Sequence, residues 1–233
     1  MKVDDAIETI TRFFNDLIGS IVPALVLAVG LAIMHLGPAK IVAASKPLEN
    51  VTLTLTVLGL MFAAGHVLMA IFDLALHPLL CACRIVKAFD EVVAKRRESY
   101  KLFAEMVNKM RNVGVSQASP DWGYHDLRSV ALSVSAEGAS LGRRFMFISL
   151  LCNGVGAALV IMLIDFLSCL ALNQKLLFPH VVAMHWFAQC VLILFASAAL
   201  FKRGEVFYGR AMATPFSIAV AELKLKREDN VAE

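Results

Sequence analysis

The stretch 145–172, FMFISLLCNGVGAALVIMLIDFLSCLAL, decides the fold, because Asp165 is its one charged residue. A helix rising ~1.5 Å per residue needs about 20 residues to cross a hydrocarbon core ~30 Å thick, and this stretch is longer than that. Three further runs satisfy the same condition: 17–36, 51–76 and 178–201. Of the 233 residues, 59% are hydrophobic and 18% charged, and the apolar excess falls in these runs rather than being spread along the chain. The predicted fold is therefore all-α, a polytopic membrane protein with four transmembrane helices and a cytoplasmic helical hairpin.

Working outward, residues 1–16 place Ile7, Ile10, Phe13 and Phe14 about one helical turn apart and opposite Asp4, Asp5 and Glu8. That pattern predicts an amphipathic helix in the membrane interface, bending into the first span near Gly19 and Pro23. The acidic start argues against a secretory signal, which needs a short basic segment and a small-residue cleavage site. Residues 17–77 carry the first two spans, 78–143 a basic cytoplasmic segment, 144–201 the last two spans, and 202–233 a tail.

Four crossings put both termini on one side. Of the 22 Lys and Arg residues, 19 fall in the termini and the 77–144 segment and 3 in the two opposite loops. The positive-inside bias then places both termini and the long loop in the cytoplasm, here of a bacterial inner membrane. The five cysteines, Cys81, Cys83, Cys152, Cys169 and Cys190, lie in or beside spans and form no evident extracellular disulfide pair.

In the long loop, Ile85, Phe89, Val92, Tyr100, Phe103, Val107 and Met110 recur at three- and four-residue steps. They predict one amphipathic helix of about 28 residues continuing the second span out of the membrane. A turn at Gly114–Gly123 leads to a second helix from about Asp126 into the third span, completing the hairpin. Residues 207–225 form another helix candidate, interrupted by Pro215, that could pack on it.

Ionisable groups inside spans cost roughly 2.5–3.5 kcal/mol each on insertion scales and usually face protein or water. His66, Asp73 and His77 are spaced seven and four residues apart, which places them on one face of an unbroken α-helix. In the later spans the polar groups are Asn153, Asp165, His185 and Gln189, and matching depths pairs His66 with Asn153 and Asp165 with His185. Two readings follow, a polar path for ions or protons and interhelical hydrogen bonds that fix register. Haem would need two facing histidines, for which His35 with His180 or His185 is the best depth match, but no motif supports it. Cys81-x-Cys83 offers two ligands, too few for a zinc site, so neither a cofactor nor a metal is expected.

Lys95, Arg96 and Arg97 lie about 25 Å beyond Pro78 on a straight helix at ~1.5 Å per residue, far for lipid contact. They point instead to docking of a cytoplasmic protein or an acidic ligand. Ser20, Ala24, Ala28, Gly154 and Ala158 follow small-xxx-small spacing and permit close helix packing. No P-loop, GxSxG elbow, HExxH pair or dinucleotide turn is present, so no catalytic residue is assigned. The expectation is a non-enzymatic protein that self-associates in the bilayer while its basic hairpin senses or docks a partner, gating a pore or anchoring a complex. Small bacterial proteins of phage-defence and plasmid-exclusion systems share this layout, an analogy of plan alone. The alternatives are a small ion- or proton-coupled transporter and a b-type cytochrome.

Overall fold

A computed structural model describes residues 3–37, 40, 51–112, 122–172 and 185–232, and every described element is a helix. The helices are α1 (Val3–Leu36), α2 (Val51–Ile71), α3 (His77–Ala82), α4 (Glu91–Lys95), α5 (Glu98–Asn112), α6 (Tyr124–Val134), α7 (Ala136–Ala171) and α8 (Trp186–Ala232), with a π-helical turn over Phe72–Leu76. Among the described residues three segments are long and apolar enough to cross a membrane: Leu17–Leu36, Val51–Ala82 and Ala136–Ala171. The described part of the fourth apolar run opens α8. Residues 41–50 of the first connection predicted to lie outside the cell, the second such connection 173–177, and the turn Gly114–Asp121 fall outside the described residues.

α1 runs through Gly19 without a break, with Pro23 inside it. The interfacial helix expected over 1–16 is thus one piece with the first span.

The second span is less regular than its composition implies. Pro78 has no N–H, and its ring crowds the carbonyl four residues earlier, that of Leu74. The turn just upstream widens, and the His77 N–H bonds the Phe72 carbonyl, the i→i−5 spacing of a π-bulge. α3 then stops on a Schellman motif: Ile85 N–H donates to Leu80 O at 3.0 Å and Arg84 N–H to Cys81 O at 3.0 Å. The left-handed position of that motif normally belongs to Gly, but here Arg84 takes it, at φ 58.

The single helix predicted to continue out of this span is therefore replaced by α3, α4 and α5. Asp90 starts α4 as an N-cap, its Oδ1 accepting from Val92 N at 2.9 Å and Val93 N at 3.2 Å. Apolar spacing carried straight across this junction, so periodicity alone could not mark it. The 25 Å straight-helix distance to Lys95 does not apply.

The second predicted helix is also divided. Ser135 is extended (φ −124, ψ 112) between α6 and α7. Its hydroxyl oxygen accepts from Gly138 N at 2.9 Å, capping α7, and its O–H donates to Glu222 Oε1 at 2.8 Å.

The chain divides into two compact units, Met1–Lys87 with Phe147–Glu205, and Ala88–Met146 with Val206–Glu233. In the first unit, Leu68, Phe72, Leu80, Ala157, Ala158 and Phe201 form the core. Close approach explains the small residues there. A Cβ on Gly65 would strike the Ser20 carbonyl, joining α2 to α1, and one on Gly154 would lie 2.6 Å from Pro23 Cγ, joining α7 to α1. Ser20, Ala24 and Ala158 are buried in these contacts, so the small residues pack this chain against itself.

Around that core the apolar surface is uncovered. Only a minority of the residues in each of the three spanning segments is buried within the chain, and Leu55, Leu60, Val67, Leu74 and Phe195 are each at least 60% exposed. Such a band needs a solvent other than water.

The second unit has its own core of Phe103, Tyr124, Leu127, Ala131, Phe216 and Ala219, with Phe89, Tyr100 and Tyr208 against it. Burying side chains of the size of Phe103 or Phe216 stabilises by about 1.5–3 kcal/mol each. The tail segment therefore does pack on the helices of the long loop.

Pro215 is central to that packing. Lacking an N–H, it leaves the carbonyl of Ala211 without its intrahelical donor. Arg128 Nη2 donates to Ala211 O at 3.3 Å, and the Tyr124 hydroxyl, one turn earlier on α6, donates to Met212 O at 3.1 Å. The pair on α6 thus docks at the proline step of α8. The Arg128 Nε is buried without a partner among the described residues.

Candidate functional site

The polar groups of the first unit do not gather into one line. His66 is exposed, and its Nδ1–H donates to the Phe62 carbonyl at 2.9 Å within the same helix. Asn153 instead lies against Gly204, where an added Cβ would meet its Oδ1. The predicted His66–Asn153 contact is replaced by these two local arrangements. Asp73 is exposed in the π turn, and His77 lies with Nε2 3.7 Å from Cys81 Sγ. The wide turn lies between Asp73 and His77, and four residues bring the chain back close to the same side in a π turn as in an α turn. Gln189 is half-buried on α8.

At the carboxyl-terminal ends of α1 and α7 a different cluster forms. His35 Nε2 lies 2.7 Å from Asp165 Oδ2 although the residues are 130 apart in sequence. Asp165 thus pairs with His35, while the expected partner, His185, is exposed with Nδ1 accepting from Phe187 N at 3.4 Å. Cys169, one turn beyond Asp165 on α7, is a buried free thiol. One ligand atom from each of His35, Asp165 and Cys169 falls within 4.8 Å of the others. The imidazole and carboxylate remain 44% and 33% exposed within the chain.

In the sequence Asp165 stands out as a charge inside a span, whereas His35 stands at a span end and Cys169 is one of five scattered cysteines. The available signal was the i, i+4 spacing of Asp165 and Cys169, which puts two ligand types on one helical face. The third comes from α1, which approaches α7 closely where a Cβ on Gly154 would lie 2.6 Å from Pro23 Cγ, a packing detail that composition does not carry.

In the second unit Lys95 pairs with Glu91 across one helical turn at 2.8 Å. This hydrogen bond holds the Glu91 carboxyl below its ordinary range, helped by the Lys95 charge, the Tyr124 backbone and His125. Arg96 and Arg97 are exposed where α4 gives way to α5. Burial raises the Tyr124 phenol above its ordinary value, opposed by the charges of Arg97 and Arg128. The basic run therefore divides into one lysine engaged with a carboxylate and two arginines presented to solvent.

No family model, curated protein or solved structure matches this chain.

Proposed function

We propose that this protein is a four-span bacterial inner-membrane protein with both termini in the cytoplasm, that it is not an enzyme, and that copies of it associate through their spans. Its second unit is cytoplasmic and docks a protein partner or an acidic ligand through Arg96 and Arg97, and docking gates a pore or anchors a complex.

The observation that carries the self-association is the exposure of His66 and Asp73 on the second span. A charged group facing hydrocarbon costs roughly 2.5–3.5 kcal/mol at mid-bilayer, and the described residues leave Asp73 exposed. A second copy laid against α2 would cover both residues and part of the apolar surface beside them. The exposed guanidinium groups of Arg96 and Arg97 support docking of carboxylates or phosphates, which they bind in bidentate geometry. A role in phage defence or plasmid exclusion rests on layout alone.

Native mass in lipid nanodiscs tests the association. The wild type is expected as a multimer and Asp73→Leu as a species of lower order, because the leucine no longer needs cover. A monomeric wild type overturns the reading. For docking, Arg96→Ala/Arg97→Ala is expected to lose binding to an acidic peptide column while keeping the wild-type mass, and equal retention of both proteins argues against it.

A second reading, a small ion- or proton-coupled transporter, is favoured by the His35–Asp165 pair at the ends of two spans. Proton uptake by proteoliposomes that is abolished by Asp165→Asn would establish that reading.

A further inference from the structure

We infer that His35, Asp165 and Cys169 form a binding site for a divalent transition metal of borderline softness, with Zn2+ the best match, which ties the end of α1 to the end of α7. The site is independent of which side of the bilayer these ends face.

The donor set carries the choice of ion. One imidazole nitrogen, one carboxylate oxygen and one thiolate sulfur suit Zn2+, whereas Mg2+ and Ca2+ take oxygen ligands and disfavour sulfur. Three protein ligands with a fourth position open to solvent is the arrangement of zinc sites that bind an exchangeable molecule. Metal–ligand bonds of ~2.0–2.3 Å at tetrahedral angles place donors about 3.3–3.6 Å apart. The observed donors lie within 4.8 Å of one another, and the 2.7 Å imidazole–carboxylate contact opens slightly to admit an ion between them. Side-chain torsions cover these differences with both helices in place.

A simple ion pair explains His35 and Asp165 but leaves the third member unaccounted for. Cys169 is 5% exposed, yet its sulfur is directed to the same point as the two polar groups rather than away from them. Spacing Asp165 and Cys169 one turn apart on a rigid helix fixes two donors, and the partly exposed His35 side supplies the path by which an ion enters.

The protons balance simply. Binding M2+ releases the Cys169 thiol proton to solvent, and the Nε2 proton of neutral His35 either moves to Nδ1 or is released in the same exchange if the ring is charged, leaving a lone pair for the ion. Affinity therefore rises with pH as the competing protons are removed.

The test uses the full chain in detergent, stripped with chelator and titrated with Co2+ and then Zn2+. Wild type is expected to bind one Co2+ per chain with tetrahedral visible bands and a thiolate-to-cobalt charge-transfer band, both erased by Zn2+. Asp165→Asn and His35→Ala are expected to weaken binding by more than the ~10–100-fold that losing an outer-shell partner costs. Cys169→Ser is expected to abolish the charge-transfer band, whereas Cys81→Ser and Cys83→Ser keep it. Near-ultraviolet circular dichroism matching wild type shows that the near-isosteric Asn and Ser variants remain folded. The proposal is overturned if wild type takes up no Co2+, if the charge-transfer band survives Cys169→Ser, or if Asp165→Asn and His35→Ala both bind as wild type does.

Discussion

Replacing Arg128 by Ala should destabilise the protein more while Pro215 is present than in its absence. In the wild type, Pro215 cannot donate to the Ala211 carbonyl, which Arg128 satisfies at 3.3 Å. A hydrogen bond to a charged group contributes about 1.5–3 kcal/mol, and this long contact belongs at the lower end, near 1.5 kcal/mol. Ala211 is fully buried, so water does not readily replace the lost donor. In a Pro215→Ala background the new backbone N–H can reach the same carbonyl, and Arg128→Ala then costs only its side-chain packing. A double-mutant cycle, read by reversible unfolding in mixed micelles with Trp122 fluorescence, should give a coupling of about 1 kcal/mol. Additivity within ~0.3–0.5 kcal/mol, the spread found for independent sites, would refute the assignment of Arg128 to the proline step.

Other outcomes follow from the same geometry. Arg84→Gly should stabilise by about 0.5–1 kcal/mol, since a left-handed non-glycine residue costs ~1–2 kcal/mol and Gly returns part of that as chain entropy; a lower unfolding midpoint would contradict the Schellman assignment. Gly65→Ala should cost more than the ~1–3 kcal/mol of ordinary overpacking because the obstacle is the Ser20 backbone, whereas Gly59→Ala, which meets nothing within 4 Å, should be neutral or stabilising in the same assay. Burial raises the Tyr124 phenol, so the unfolded chain ionises first and stability should fall as pH rises past the ordinary tyrosine value of about 10. Ultraviolet titration should show one late phenol that Tyr124→Phe removes, and three tyrosines titrating together would exclude it.

How much of this was legible beforehand depended on whether the signal was local. The apolar runs and the absence of strand patterning marked the helices, because length and composition are properties of a single segment. Helix ends were lost where a cap interrupted a continuing apolar period, as at Asp90 and Ser135, and where Arg84 replaced the expected Gly. The π turn before Pro78 is signalled by the proline itself, whose missing N–H and bulky ring disturb the turn upstream. Depth matching failed for Asp165 because it ranks partners by distance from a helix end. It cannot say which neighbouring helix is turned toward the residue. His35, near the end of α1, is the residue that meets Asp165. The contact of Arg128 and Tyr124 with α8 was hidden for the same reason, although an interior proline always implies a carbonyl in need of a donor.

The account depends most on lipid covering the exposed faces of α2, α7 and α8. With Trp122 and Trp186 changed to Phe, a single reporter introduced by Phe195→Trp should be strongly quenched in bilayers of phospholipid brominated at mid-chain. Emission unchanged by bromination, with the spectrum of a water-exposed or protein-enclosed indole, would contradict it.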